Sequence, residues 1–182
     1  GELSTGRTLE SLFNEMGPND VYLKGVNALD TTNTVGILIG NPTEGGTIAR
    51  VLAASKRQGF KVIFPVGLEK LVPFSIREVA KIADRKKCDY SMGIPCSLLP
   101  GGGDRVTEIQ AIEILSCATV TPIAAGGLGG AEGAITLVMS GNSDKVNEAI
   151  KHVERVKGAR LPQVRTSNCH ECTAALCTFP IG

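Results

Sequence analysis

The sequence predicts an α/β protein built from two modules: a parallel, Rossmann-like sheet followed by a ferredoxin-like α+β unit. Three observations lead there. Short apolar runs at residues 21–24, 34–39 and 61–66 have strand length rather than helix length. Between the second and third lies an amphipathic stretch, residues 47–57, closed by Gly59. From residue 89 onward the order becomes β-α-β-β-α-β, the split βαβ pattern. The expected organisation is an α/β ligand-binding module at 1–88, a ferredoxin-like module at 89–166 and a Cys-rich tail at 167–182.

In chain order, residues 8–16 read as a short helix, with Leu9, Leu12, Phe13 and Met16 on one face. Gly17-Pro18-Asn19-Asp20 ends it. The strand at 34–39 is almost wholly apolar, as in a sheet covered on both faces. The β-β-α-β run that follows predicts parallel pairing through a right-handed crossover. The loops after these strands are then expected to meet at the carboxyl edge of the sheet. Residues 75–87 predict a helix in which Ser75 and Glu78 form a capping box. Its Arg85-Lys86-Lys87 end suits the helix dipole. The second module is read as a strand at 89–96, a helix at 106–117, strands at 120–125 and 134–140, a helix at 143–156 and a last strand at 161–165.

Composition narrows the function. The chain has 182 residues, 42% of them hydrophobic and 20% charged, which places it among globular proteins. A net charge of +1 gives no electrostatic footprint for nucleic acid or an anionic membrane surface. Aromatics are 4% and Trp is absent, so a base-stacking platform is not expected. No apolar run approaches the ~20 residues that span a bilayer. The first residues carry no signal-peptide pattern, and six Cys then argue for a reducing, cytoplasmic setting.

The chemistry is expected in two loops. The first offers Lys24, Asn27 and Asp30. The second offers Asn41, Thr43, Glu44, Gly45, Gly46 and Thr47. A glycine-rich loop that runs into a helix presents backbone N–H groups and the positive end of the dipole to an anion. The amides of Gly45, Gly46 and Thr47 would hold it and Lys24 would neutralise it. Asp30 or Glu44 would serve as general base beside a carbonyl. The expected ligand is therefore a small phosphorylated or carboxylated metabolite. Ordinary turn chemistry, which also favours Asn, Asp, Pro and Gly, is the plain alternative. The loop ends in neither the P-loop Gly-Lys-Ser/Thr nor a dinucleotide fingerprint.

The run Gly25-Val26-Asn27-Ala28-Leu29-Asp30, then Gly40 to Thr47, then the strand at 61–66 resembles the superfamily of ribose-phosphate isomerases, amino-sugar-phosphate deaminases and CoA transferases. The resemblance covers about fifty residues at the level of motifs. It implies a Rossmann-like sheet and an isomerase- or transferase-like enzyme acting on a phosphorylated or CoA-linked metabolite. In the isomerases a ferredoxin-like module also follows the sheet. The resemblance puts the family's catalytic carboxylate at Asn27, which cannot act as a base, and leaves Asp30 as the acid. The alternative is a non-catalytic metabolite sensor or an assembly subunit, and whether the chain is an enzyme stays open. A homo-oligomer is expected in either case.

Two further glycine-rich turns stand out. Gly101-Gly102-Gly103-Asp104-Arg105 precedes a predicted helix and is either a second anion loop or a flexible connection. Gly126-Gly127-Leu128-Gly129-Gly130 joins two predicted strands as a hairpin. In the tail, Cys169, His170, Cys172 and Cys177 have the spacing and softness to ligate Zn or an iron–sulfur cluster. Redox activity and plain packing of small Cys side chains are the other readings. His152 is expected to be structural, and Cys88 and Cys117 to sit at helix ends.

Overall fold

The computed structural model describes residues 6–40, 45–159 and 168–172. It is a mixed α/β structure in which, among the described residues, nine strands form three sheets. The elements run α1 (Leu9–Phe13), β1 (Val21–Leu23), β2 (Ala28–Asp30), β3 (Val35–Ile39), α2 (Gly46–Gln58), β4 (Lys61–Pro65), β5 (Leu71–Val72), α3 (Ile76–Ile82), β6 (Ser97–Gly101), β7 (Asp104–Val106), α4 (Glu108–Ser116), β8 (Thr119–Ala125), β9 (Ile135–Ser140) and α5 (Ser143–Val156). Short 3-10 turns occupy Leu68–Lys70, Arg85–Lys87 and Cys169–Glu171.

Strands β1, β4 and β7 make a three-stranded sheet with β4 in the centre, and both pairings are parallel. The parallel relation expected between residues 21–24 and 61–66 is present, with Val21 opposite Lys61. Strand β3 does not join them. It lies in a second sheet of order β5-β2-β3-β6, antiparallel to both neighbours. The cause is local. Ala28–Asp30, read from the sequence as loop, is a fully buried strand that hairpins with β3. Asn33 closes the turn with φ +65°, a left-handed conformation that Asn tolerates better than most residues.

The main core lies between these sheets and under α2. Val35, Ile37 and Ile39 of β3 bury with Ile48, Val51 and Ala54 of α2 and with Val62 and Phe64 of β4. Phe13 of α1 stacks on Phe60 at 6.2 Å and meets Tyr22 edge-on at 6.0 Å. On the other face of β3, Gly36 lets Ala28, Leu98 and Ile76 of α3 close in. A Cβ at Gly36 would fall 3.0 Å from the Leu98 side chain and 3.2 Å from Ala28.

Several expected boundaries shift. The helix expected at 75–87 stops at Ile82, because Asp84 accepts from the Lys86 N–H and opens a separate 3-10 turn. The Ser75 side chain makes no cap; Ile76 N–H is taken by Asp30 instead. No strand forms at 89–96. The next strand, β6, starts at Ser97 and pairs with β3, while β7 pairs with β4. Hydrogen bonding therefore crosses the boundary expected near residue 88. Val106 belongs to β7, and α4 begins only after Thr107, whose capping box with Gln110 fixes the helix start.

The elements α4-β8-β9-α5 follow in the expected order. Both helices lie on one face of an antiparallel β8–β9 pair, around a small core of Ile112, Ala118, Val120 and Ala149. The strand expected at 161–165 lies outside the described residues. Among the described residues, no helix is long and apolar enough to cross a membrane.

Candidate functional site at the carboxyl edge of the parallel sheet

Strands β1 and β4 are parallel, so their carboxyl ends share one edge. Lys24 follows β1 there, and its N–H donates to Ile63 O of β4 at 3.1 Å. Helix α2 ends at Gln58, just before the start of β4, and so runs back along it. This returns the helix N-terminus to the carboxyl edge. Gly40, at the end of β3, arrives at the same place. Lys24, Ile37, Leu38, Ile39, Gly40, Gly46, Thr47 and Ile48 line one cleft of about 250 Å³. Among the described residues, Lys24 is the one charged side chain in that lining.

The entry to α2 is built for backbone contact. Gly45 and Gly46 have φ of +64° and +62°. A Cβ on Gly45 would lie 2.6 Å from Ala49 Cβ, so no side chain fits. A left-handed residue followed by helical Thr47 turns successive N–H groups toward a common point, the concave arrangement that accepts anions. The first N–H groups of any helix lack intrahelical acceptors. Among the described residues, no side chain accepts from those of Gly46, Thr47 or Ile48. There is also no acidic residue in the first turn of α2. The other helices are closed: Thr8 caps α1, Thr107 caps α4, Asn142 caps α5, and Asp30 accepts from the first N–H of α3.

Asn27 is near this cleft but is committed to the backbone. Its N–H donates to Gly36 O at 2.9 Å, and its Oδ1 accepts from Leu38 N–H at 3.0 Å. The carboxamide thus extends the β2–β3 ladder by one step toward Gly40. Arg85 contributes a residue that sequence reasoning missed. Its guanidinium donates to the Gly40 carbonyl, where the second loop begins. The sequence placed it on a continuous helix end; only the Asp84 break turns it here.

Asp30 sits at the opposite end of the hairpin. Strand β3 runs from Val35 beside Asp30 to Gly40 at the cleft, about 16 Å at strand rise. Asp30 is 1% exposed. Its Oδ1 accepts from Thr32 N–H, Thr34 N–H and the Thr32 hydroxyl at 2.7–2.9 Å, and its Oδ2 from Ile76 N–H at 2.9 Å. Burial pushes the carboxyl up, but the hydrogen bonds from Ile76, Thr32 and Thr34 together outweigh it. They hold the group below its ordinary value. A carboxylate so engaged closes a turn and caps a helix, and it is not brought together with Lys24 or the glycine amides. Asn41, Thr43 and Glu44 lie outside the described residues.

The Gly101–Arg105 segment does not deliver an anion loop to a helix. It is a tight passage from β6 to β7, with Gly103 at φ +143° where a Cβ would lie 2.8 Å from the Phe64 ring. The start of α4 is already closed, and Glu108 accepts from Leu68 N–H at 2.9 Å. In the tail, Cys169, His170 and Cys172 are exposed on one turn, with Asn168 Oδ1 accepting from His170 N–H. Cys177 lies outside the described residues. Among the described residues, no group of three or more His, Cys, Asp or Glu side chains is placed to hold a metal ion. Cys88, Cys96, Cys117, Cys169 and Cys172 are free thiols. His152 reaches Glu148 on α5 at 3.3 Å, a surface helix pair.

No family model matches the chain, and no curated protein or solved structure matches it. What defines the site is therefore its own geometry: a glycine-lined helix entry at the carboxyl edge of a parallel sheet, with one lysine in the cleft and the Arg85 guanidinium on the Gly40 carbonyl.

Proposed function

We propose that the protein binds a small anionic metabolite, phosphorylated or CoA-linked, at the carboxyl edge of the β1-β4-β7 sheet. In this reading that sheet is a small Rossmann-like module and α4-β8-β9-α5 the centre of a ferredoxin-like one. The observation that carries the proposal is the contrast among helix starts. Among the described residues, α2 alone has glycines where the other helices have a capping side chain, and there the cleft contains Lys24. An anion at that point gains the helix dipole, backbone donors and a cation together. Arg85, already on the Gly40 carbonyl, adds a second positive charge beside the loop.

The chemistry that follows binding divides two readings. An isomerase- or transferase-type enzyme needs a base at the cleft, and Glu44 is the acidic residue of the second loop. A binding or sensing domain needs none. The position of Asp30, far along the hairpin with both oxygens engaged, favours the second reading. The test is direct. Thermal denaturation and calorimetry are run with inorganic phosphate, pentose and hexose phosphates and CoA thioesters. Binding predicts a rise in Tm that is smaller in Lys24→Gln. Turnover predicts exchange of a substrate C–H proton with deuterated solvent that disappears in Glu44→Gln. A panel in which no anion raises Tm would reject the site.

A further inference from the structure

We propose that the outer edge of β1 is a docking groove for an extended peptide segment that carries an apolar and a basic residue two positions apart and adds to the sheet as an antiparallel strand. Strand β1 ends the β1-β4-β7 sheet and pairs only with β4 among the described residues. The ladder fixes which of its backbone groups are engaged. Lys61 N–H donates to Asp20 O, and Lys24 N–H donates to Ile63 O. Backbone groups alternate sides along a strand, so those of Tyr22 face β4 as well. The N–H and C=O groups of Val21 and Leu23 face outward. Such a row is a template for a further strand.

A groove lies beside this edge. Helix α1 and the turn after it leave a space of about 430 Å³ against β1, walled by Leu9, Leu12, Phe13 and Met16. The Tyr22 ring meets Phe13 edge-on, so the Tyr22 face of the strand is the one that looks toward α1. Val21 and Leu23 point to the other face and are 46% and 64% exposed. A strand added to β1 therefore puts the side chain opposite Tyr22 into the groove, where an aliphatic one fits. Main-chain bonds at the edge and a pocket for alternate side chains are the two parts of peptide recognition by strand addition.

The charge of the groove selects the partner. Among the described residues, Glu15 and Asp20 are its charged side chains, and neither lysine nor arginine lines it. Arg7 already bonds Glu15 Oε1. Asp20 Oδ2 accepts from Gly17 N–H at 2.8 Å, and Oδ1 has no partner among the described residues. Asp20 stands two residues before Tyr22 and so on the same face. A basic side chain two positions from the aliphatic one comes opposite it. Antiparallel addition is the more stable pairing, and in it the residues opposite Val21 and Leu23 each exchange both backbone bonds with the edge. The peptide then reads apolar-x-basic from its N-terminus. The groove follows the outer edge of β1 and the anion cleft lies at its carboxyl end, so this proposal does not rest on the anion reading.

The test uses the full chain, isotope-labelled for NMR, and the probe acetyl-Ser-Thr-Ile-Thr-Lys-Ser-amide. In the free protein the Val21 and Leu23 amides should exchange freely with deuterated solvent. Titration with the probe should shift them and protect them. Asp20→Asn keeps an acceptor for Gly17 N–H and should weaken probe binding about threefold, the worth of one exposed ion pair. The same variant should leave unchanged the affinity of a probe with norleucine in place of lysine. A probe N-methylated at both threonines cannot donate to the edge and should not bind. Leu23→Pro removes an outward N–H without touching the ladder to β4, and should also abolish binding while the circular dichroism spectrum is retained. The N-methylated probe checks the same bonds with no change to the protein. Val21 and Leu23 amides that are protected in the free protein overturn the proposal, because the chain itself or a second copy then covers the edge. So does a probe that leaves them unshifted at millimolar concentration, or an N-methylated probe that binds as well as the parent.

Discussion

The two ends of the β2–β3 hairpin are made from different kinds of residue and do opposite things. At one end Asp30, Thr32, Asn33 and Thr34 fold the chain on itself, and the Asp30 carboxylate accepts from the N–H groups of Thr32, Thr34 and Ile76 and from the Thr32 hydroxyl. At the other end Gly40, Gly45 and Gly46 leave a helix start without a side-chain partner among the described residues, and a cleft opens beside it. A polar turn that satisfies its own donors has nothing left for a ligand. A glycine helix entry presents backbone donors that no side chain accepts from among the described residues. The contrast explains why the carboxylate with the best sequence credentials for catalysis is the one most occupied by architecture.

The largest way to break this contrast is to remove the Asp30 carboxylate. Asp30→Ala strands buried donors of the turn and of α3 and should cost about 2–4 kcal/mol in urea denaturation. Phosphate binding measured where the variant is still folded should be little changed, because the cleft lies at the other end. Acid offers the same perturbation without mutation. Folding lowers the pKa of Asp30, so the native state binds its proton more weakly than the unfolded chain. Its contribution is full above the ordinary carboxylate value and is lost as pH falls through the lowered one. The stability gap between wild type and Asp30→Ala should therefore narrow in strong acid. A gap independent of pH would mean that the carboxylate charge is not what holds the turn.

At the open end, Gly45→Ala should cost about 1–2 kcal/mol for a left-handed residue bearing a Cβ. The Cβ also meets Ala49, so the helix entry must shift. Here stability and phosphate binding should fall together, unlike at Asp30. Lys24→Gln is expected to move binding alone. Lys24 is half-buried at the cleft and takes part in no ion pair among the described residues, so its loss should leave Tm unaffected. Phosphate affinity should drop about tenfold, the worth of one favourable charge of about 1.4 kcal/mol. Equal losses in stability and binding would make Lys24 a structural residue.

Much of the fold was legible because its signals are local. The amphipathic pattern of α2, its stop at Gly59, the β1 and β4 runs and the whole α4-β8-β9-α5 order follow from periodicity and caps within a few residues. What escaped depends on partners distant in sequence. Ala28–Asp30 has too few residues to read as a strand and is one because β3 and β5 flank it. Ser75 with Glu78 looked like a capping box, but Asp30 from another element claims the first helical N–H. The glycine loop and Lys24 were legible as a pair because α2 runs back along β4, which is parallel to β1, and so returns the helix entry to the end of β1. The displacement of Asp30 was not, because it follows from one antiparallel hairpin inside an otherwise parallel-looking pattern. Arg85 could be found only once Asp84 was seen to interrupt the helix.

The smallest structural change tests the most. Were the proposed isomerase-like arrangement present, Asn27 would stand where a catalytic carboxylate is needed, and in the fold its Oδ1 accepts from Leu38 N–H. An aspartate has the same shape and can accept the same hydrogen bond, so Asn27→Asp should change stability by less than about 0.5 kcal/mol. Its charge would stand beside the second loop. If the cleft only binds anions, the added carboxylate repels them, and phosphate affinity falls several-fold with no new chemistry. If the cleft is a catalytic site whose base has been replaced, the variant should instead begin to exchange a C–H proton of a bound sugar phosphate with deuterated solvent, read by NMR. The first outcome makes the glycine entry a binding device. The second makes the single amide at position 27 the difference between a ligand pocket and an enzyme.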